Sequence, residues 1–293
     1  MRHLKFTVMA IGLTAVPAFA GMPVPVKMKC AVGGEAFTHI TTASYTIFGR
    51  RPDGKPFGSW HFPLDIPVCP GNGLVMFQEE FSADEVKTLK VLISSPEYRA
   101  MRDRDTSYYK AAWLMRSLGR SPIDVAWKVV QASWQADGDI PLKQRYQAEY
   151  AAAITALPRD DQSIDWMLMQ ARAGNAYREL ERFDEAKAVL DGLPLASLDV
   201  PVPAQSRNAA GEVENGKAIE DAENRRGILR YVKDVRDLAD RRNASSQPVR
   251  MASPRLAAEL CVNGKDRLDA DDKAYCESDA MKAVIARFTL PPR

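Results

Sequence analysis

Histidine is nearly missing from this sequence. There are three in 293 residues, and one of them, His3, lies in the extreme N-terminal stretch. Only His39 and His61 remain beyond it, and no G-x-S-x-G or H-E-x-x-H run occurs. The usual base of a hydrolytic triad and the helical histidine pair of a zinc protease are therefore both lacking. A charge of one sign is lacking too. Forty basic residues face 38 acidic ones for a net +2, which gives no basic field for a dedicated nucleic-acid binder. Past the N-terminus, no run approaches the roughly 20 apolar residues of a membrane-spanning helix. With 17 glycines and 19 prolines the chain is neither collagen-like nor of low complexity, and 46% hydrophobic with 27% charged residues is ordinary globular composition.

The clearest positive signal is at the start. Arg2, His3 and Lys5 form a positive region, Phe6 to Val16 is a short apolar run, and Ala18-Phe19-Ala20 is a small-x-small cleavage pattern. Residues 1–20 therefore read as a secretory signal peptide cut before Gly21, which places the protein in the periplasm or outside a bacterial cell. The apolar run is too short for a membrane anchor. Cys30 follows Met28-Lys29, not a lipobox. Taking Arg2 and Lys5 from the 40 basic residues leaves 38, equal to the 38 acidic ones. The mature chain is thus formally neutral, and no electrostatic attraction to membranes or nucleic acid is expected of it as a whole.

Four cysteines survive cleavage: Cys30, Cys69, Cys261 and Cys276. In an oxidising compartment an even count reads first as disulfides. Three connectivities are open, of which Cys30 with Cys69 and Cys261 with Cys276 are sequence-local. The two remaining histidines also lie between Cys30 and Cys69. Cys30, His39, His61 and Cys69 are thus a rival Cys2His2 zinc set, although neither histidine stands at knuckle spacing from a cysteine.

Along the chain the pattern changes from strands to helices. Residues 21–80 are β-rich: Phe37 to Phe48 has strand composition, Pro52-Asp53-Gly54 is a turn, and Phe57 to Leu64 can return as the partner strand. That pairing brings His39 and His61 towards each other. From Ser82-Ala83-Asp84-Glu85, a capping box, the periodicity is helical. Helices are expected over Tyr108–Leu118, Pro122–Ala136, Pro141–Leu157, Ser163–Arg182 and Asp184–Leu190. Residues 194–213 read as a loop and 214–243 as a long amphipathic helix with Gly227 at its centre. Residues 244–293 read as a linker and a helical tail closed by Cys261 and Cys276. The fold class is α+β, mainly α: a small β-hairpin module over 21–80, then a helical body over 81–193.

Within that body, Gln170 to Pro194 matches much of a tetratricopeptide (TPR) repeat. Gly174 stands where only a small residue fits, Tyr177 fills the groove, Phe183 and Ala186 open the second helix, and Pro194 follows its end. Residues 108–126 echo it.

The N-terminal cysteines sit in two further frames. Cys30-Ala31-Val32-Gly33-Gly34 and Cys69-Pro70-Gly71-Asn72-Gly73 each keep the first cysteine and trailing glycine of a zinc knuckle, but Gly33 and Asn72 replace the second ligand. Cys30, Gly34, Phe37, Cys69, Pro70 and Gly73, with the Gly174–Pro194 stretch, resemble a bacterial family in which a zinc-ribbon-like module precedes TPR-like helices. The resemblance implies an architecture, and the two missing ligands leave zinc in question. A disulfide between Cys30 and Cys69, in the place of a lost zinc, is the expectation.

Other motifs are weaker. Gly211 to Lys217 has P-loop spacing, but Ala218 replaces the magnesium-binding hydroxyl. Asp266, Asp269, Asp271, Asp272 and Glu277 lack the EF-hand alternation and read as a solvated acidic helix start. Tyr109, Trp113, Trp127, Trp134 and Trp166 have helical-face spacing and read as core, with a ligand or peptide groove as the lesser alternative. Arg50, Arg51 and Lys55 read as a solvated basic turn. The expected function is a non-enzymatic binding or scaffold protein that meets a protein or peptide on its helical surface, with no catalytic residues and no cofactor. The alternatives are a cell-envelope hydrolase working through carboxylates, or a metal-binding module at the N-terminus.

Overall fold

The computed structural model describes residues 21–288, so the expected signal peptide, residues 1–20, lies outside the described residues. Four short strands come first: β1 (Pro23–Lys29), β2 (Ala36–Thr42), β3 (Ile47–Arg50) and β4 (Pro56–Gly58). They form two separate antiparallel pairs, β1 with β2 and β3 with β4. The stretch from Phe37 to Phe48 is therefore not one strand. Its first half pairs backwards with β1, and only its end turns through Pro52-Asp53-Gly54 to pair with β4. Pro23 and Pro25 mask β1 in the sequence, since proline is tolerated only where no ladder donor is needed.

Helices follow: α1 (Ala83–Leu92), α2 (Pro96–Arg104), α3 (Ser107–Ser117), α4 (Pro122–Gln135), α5 (Ile140–Thr155), α6 (Ile164–Glu179), α7 (Phe183–Asp191), α8 (Gly216–Asp240), α9 (Pro254–Asn263), α10 (Ala270–Cys276) and α11 (Asp279–Ala286). Side-chain caps set the starts of all but α7, α8 and α9. The Ser82–Glu85 capping box is formed in both directions, and Ser95, Thr106, Ser121, Asp139 and Ser163 each accept from a backbone amide in the first turn of the next helix. Among the described residues no helix is long and apolar enough to cross a membrane.

Helices α3 to α8 pack as successive neighbours, and α6 also touches α8. Their core is built of alanines and aromatics, including Ala132, Trp134, Tyr146, Tyr150, Ala173 and Ala186. Gly174 lets α6 and α7 close up: a Cβ there would stand 2.8 Å from Leu190 Cγ. Tyr109 stacks on Tyr146, and Trp127 meets Trp134 edge to face. The Cys30 and Cys69 loops share a core with Leu89, Tyr98, Met101 and Leu114 of α1–α3. The tail has a small core of its own around Val249, Ala258, Cys261, Cys276 and Met281.

Candidate functional site

The two cysteine loops are built alike. Each cysteine carbonyl accepts from the amide four residues on, Gly34 or Gly73, and each cysteine amide donates five residues on, to Glu35 or Leu74. Gly34 and Gly73 both adopt positive φ, +69° and +73°, as these tight turns require. Asn72, at the position of a second knuckle ligand, donates to Val32 O at 2.7 Å and so ties one loop to the other. Cys30 and Cys69 lie at disulfide distance with Cα atoms 5.7 Å apart, and Cys261 and Cys276 do likewise at 5.5 Å.

The histidines do not join them. His39 stands opposite Val26 in the β1–β2 ladder, three register positions or roughly 10 Å from the cysteine-loop end. His61 is exposed and pairs with Asp65 at 3.0 Å. The strand pairing expected to bring His39 towards His61 is not formed: β2, which carries His39, pairs with β1, and His61 lies beyond the end of β4. Cys30, His39, His61 and Cys69 thus do not fit a zinc ion. Among the described residues no three His, Cys, Asp or Glu side chains are grouped to hold a metal.

Of the basic turn only Arg50 is solvated; Arg51 and Lys55 are partly buried. Pro52, Asp53 and Gly54 are buried, because the tip of the β3–β4 hairpin is seated against the end of α4, Asp137 and α8. Arg51 reaches Asp53 at 2.5 Å and Asp137, just after α4, at 2.8 Å. Lys55 donates to Asp137 at 2.6 Å and to Trp134 O at 2.9 Å. Tyr231 of α8 donates its hydroxyl to Pro52 O at 2.6 Å. Burial alone would raise the Asp137 pKa. The hydrogen bonds and charges of Arg51, Lys143 and Lys55 outweigh it and hold the carboxyl well below the usual range.

Behind the tip the charges continue inward. Lys143 of α5 bridges Asp137 at 2.9 Å and Glu179 at 3.8 Å. Glu179 accepts from Gln147 and Asn175, at 2.7 and 2.9 Å. Burial first, and the Asp53 charge second, push its pKa up. Arg178, fully buried, donates to Asn175 Oδ1 and to the carbonyls of Asn243 and Ser245 beyond α8. The network therefore ties the N-terminal hairpin to α5, α6 and the segment after α8. Sequence reading missed it, although a signal was there. Leu168, Arg172, Asn175 and Glu179 recur along α6 at one-face spacing, with Lys143 and Gln147 at i,i+4 on α5.

Beside the tip lies a cleft of two adjoining hollows, about 320 and 200 Å³. Both are bordered by Arg50, Arg51, Pro52 and Met251. The larger runs under the segment from Gln247 to Leu256, and the smaller reaches Leu168, Arg172 and Tyr231. Trp134 and Trp166 are buried, while Trp127 carries the Arg172 guanidinium 5.2 Å above its ring.

The acidic tail departs from expectation in one residue. Asp272 is fully buried, not solvated. Burial raises its pKa to about 6. Comparison with known protein families, with curated proteins and with solved structures finds no match for this chain.

Proposed function

We propose that this chain is a non-enzymatic binding or scaffold protein of the periplasm or cell exterior, working through its TPR-like helical array and the cleft beside the hairpin. One observation carries the reading. The end of α4, Asp137 just after it, and α8 already grip an irregular chain segment, Arg51 to Lys55, through paired charges and hydrogen bonds involving backbone carbonyls. These are the contacts by which a helical array recognises a peptide. The close fit of Gly174 to Leu190 supports the TPR-like hairpin, and two cysteine pairs at disulfide distance support an oxidising compartment.

A hydrolase needs a carboxylate that meets substrate. Asp53 and Glu179 are instead engaged by Arg51, Lys143, Gln147 and Asn175 beneath the hairpin. Neither lines the cleft. The test is photocrosslinking in the native envelope compartment, with benzoylphenylalanine at Gln247 on the cleft rim or at Glu220 on α8 as the control position. A discrete adduct from position 247 and none from position 220 supports the reading. Turnover of an envelope substrate by the purified protein, with no adduct, overturns it.

A further inference from the structure

We infer that the cleft between the β3–β4 hairpin and residues 247–256 binds a small anionic amphiphile, a carboxylate or phosphate headgroup on a short apolar body. The inference deepens the binding-protein reading, on which it rests, by naming the ligand class. The larger hollow, about 320 Å³, falls within the usual range of small-ligand sites.

Charge decides the sign of the ligand. Three arginines, Arg50, Arg51 and Arg172, border the two hollows, and no Asp or Glu lines either one. Arg51 is neutralised by Asp53 and Asp137. Arg50 is not: among the described residues it donates only to a neutral carbonyl, Gly54 O, at 3.2 Å. Arg172 lies over the Trp127 ring and, among the described residues, forms no ion pair with a carboxylate. Gly54, at φ +86°, leaves Arg172 its place, since a Cβ there would stand 3.2 Å from Arg172 Nε. Two guanidinium charges therefore remain uncompensated at one cleft. Walls of low dielectric strengthen their field, and the planar fork of each guanidinium matches a carboxylate or phosphate. The first turn of α9, whose Ser253 provides no side-chain cap, opens on the same rim and adds to the positive potential.

The walls decide the rest of the ligand. Phe57, Pro52, Leu168, Pro248, Met251 and Leu256 are apolar. A bare inorganic anion would leave them wet, and a neutral apolar molecule would leave the guanidinium groups without a counter-charge.

The probes are octanoate, octyl phosphate, 1-octanol and inorganic phosphate, titrated calorimetrically into the signal-free chain. Octanoate or octyl phosphate should bind one to one, about tenfold or more tighter than octanol or phosphate. The tighter of the two identifies the headgroup. Arg172→Gln and Arg50→Gln should each weaken binding about fivefold or more at unchanged circular dichroism. Arg50 is exposed, so its variant keeps the test valid should Arg172→Gln fold poorly. Equal affinity for octanol, no binding of either anionic probe, or undiminished affinity in folded Arg50→Gln overturns the assignment. An adduct from position 247 without amphiphile binding overturns the ligand class and leaves the binding-protein reading standing. Probe binding together with substrate turnover does the reverse.

Discussion

Arg51, at the tip of the β3–β4 hairpin, places two guanidinium nitrogens on the two carboxylate oxygens of Asp137, at 2.8 and 3.1 Å, across 86 positions of the chain. Its side chain is only 9% exposed, so the pair works where water screens it weakly. Lys55 and Lys143 share the same carboxylate. One acidic residue thus joins the β hairpin to the helical array, and the position of the neighbouring cleft depends on it.

Asp137→Asn should therefore leave Lys55 without a carboxylate and weaken the pairing of Arg51 and Lys143, which keep Asp53 and Glu179. About 2–3 kcal/mol of stability should be lost, less than for a fully buried pair because Asp137 is 32% exposed. The hairpin should become cleavable by trypsin after Arg50, the one basic residue of the tip not followed by proline, while the helical circular dichroism persists. The pH dependence has a definite sign. A carboxylate whose folded pKa is depressed contributes stability that is present above its unfolded pKa, near 3.8, and lost as pH falls below it. The tip of the unmodified protein should accordingly loosen below about pH 4. Resistance to trypsin in Asp137→Asn equal to that of the parent would show that the hairpin is held by other contacts.

At the α6–α7 crossing the expected defect is steric. Gly174→Ala puts a Cβ against Leu190 Cγ, 2.8 Å away in the present packing. Overpacking of this kind costs about 1–3 kcal/mol, against which the gain in helix propensity, up to about 1 kcal/mol, is smaller. Leu190→Ala also removes a buried side chain, so in urea denaturation the double variant Gly174→Ala with Leu190→Ala should lose less than the sum of the two single losses, since residues in contact are energetically coupled. Additive losses in the double variant would separate the two sites.

Peptide mapping without reductant should find Cys30 linked to Cys69 and Cys261 linked to Cys276. Closing the 39-residue separation should contribute about 2–4 kcal/mol, mainly by restricting the unfolded chain, and Cys69→Ser should lower stability by that amount. Stoichiometric zinc with both N-terminal thiols free would overturn the pairing.

Local chemistry was legible in the sequence wherever one residue decides one backbone position. Ser82 with Glu85, Ser121 before Pro122 and Pro141 in the first turn of α5 mark helix starts in the composition itself. Ser95-Pro96 carries the same signal for α2, yet that helix is short and poor in apolar periodicity, so it escaped expectation. Long-range placement was not legible. Nothing in Arg51-Pro52-Asp53-Gly54-Lys55 says whether the turn faces solvent or a helical array, because its partner Asp137 is an ordinary loop acid until the fold brings it near. The same holds for Asp272, one of five acidic residues in a short stretch. Only packing against Val249 separates it from its solvated neighbours.

Asp272 gives the sharpest pH prediction. Its Oδ1 accepts from the Val249 amide at 2.9 Å, while its Oδ2 is buried with no hydrogen-bond partner among the described residues. Asp269 and Asp271 lie close by. An ionised carboxylate is costly in such a place, first through burial and then through its acidic neighbours, and the pKa rises from 3.8 to about 6. For a group whose folded pKa is raised, the stabilising contribution is complete below the unfolded value and is lost as pH rises through the folded one. The tail should therefore be firmer at pH 4.5 than at pH 7.5, opposite in sign to the effect at Asp137. Asp272→Asn keeps an acceptor for Val249 and carries no charge, so it should stabilise the tail at pH 7.5 by about 1–3 kcal/mol and change little at pH 4.5. Hydrogen exchange at the Val249 amide, followed in both proteins at the two pH values, reads this directly. Equal protection at pH 7.5, or the same gain at both pH values, would show that the buried carboxyl is uncharged or compensated in a way the present contacts do not contain.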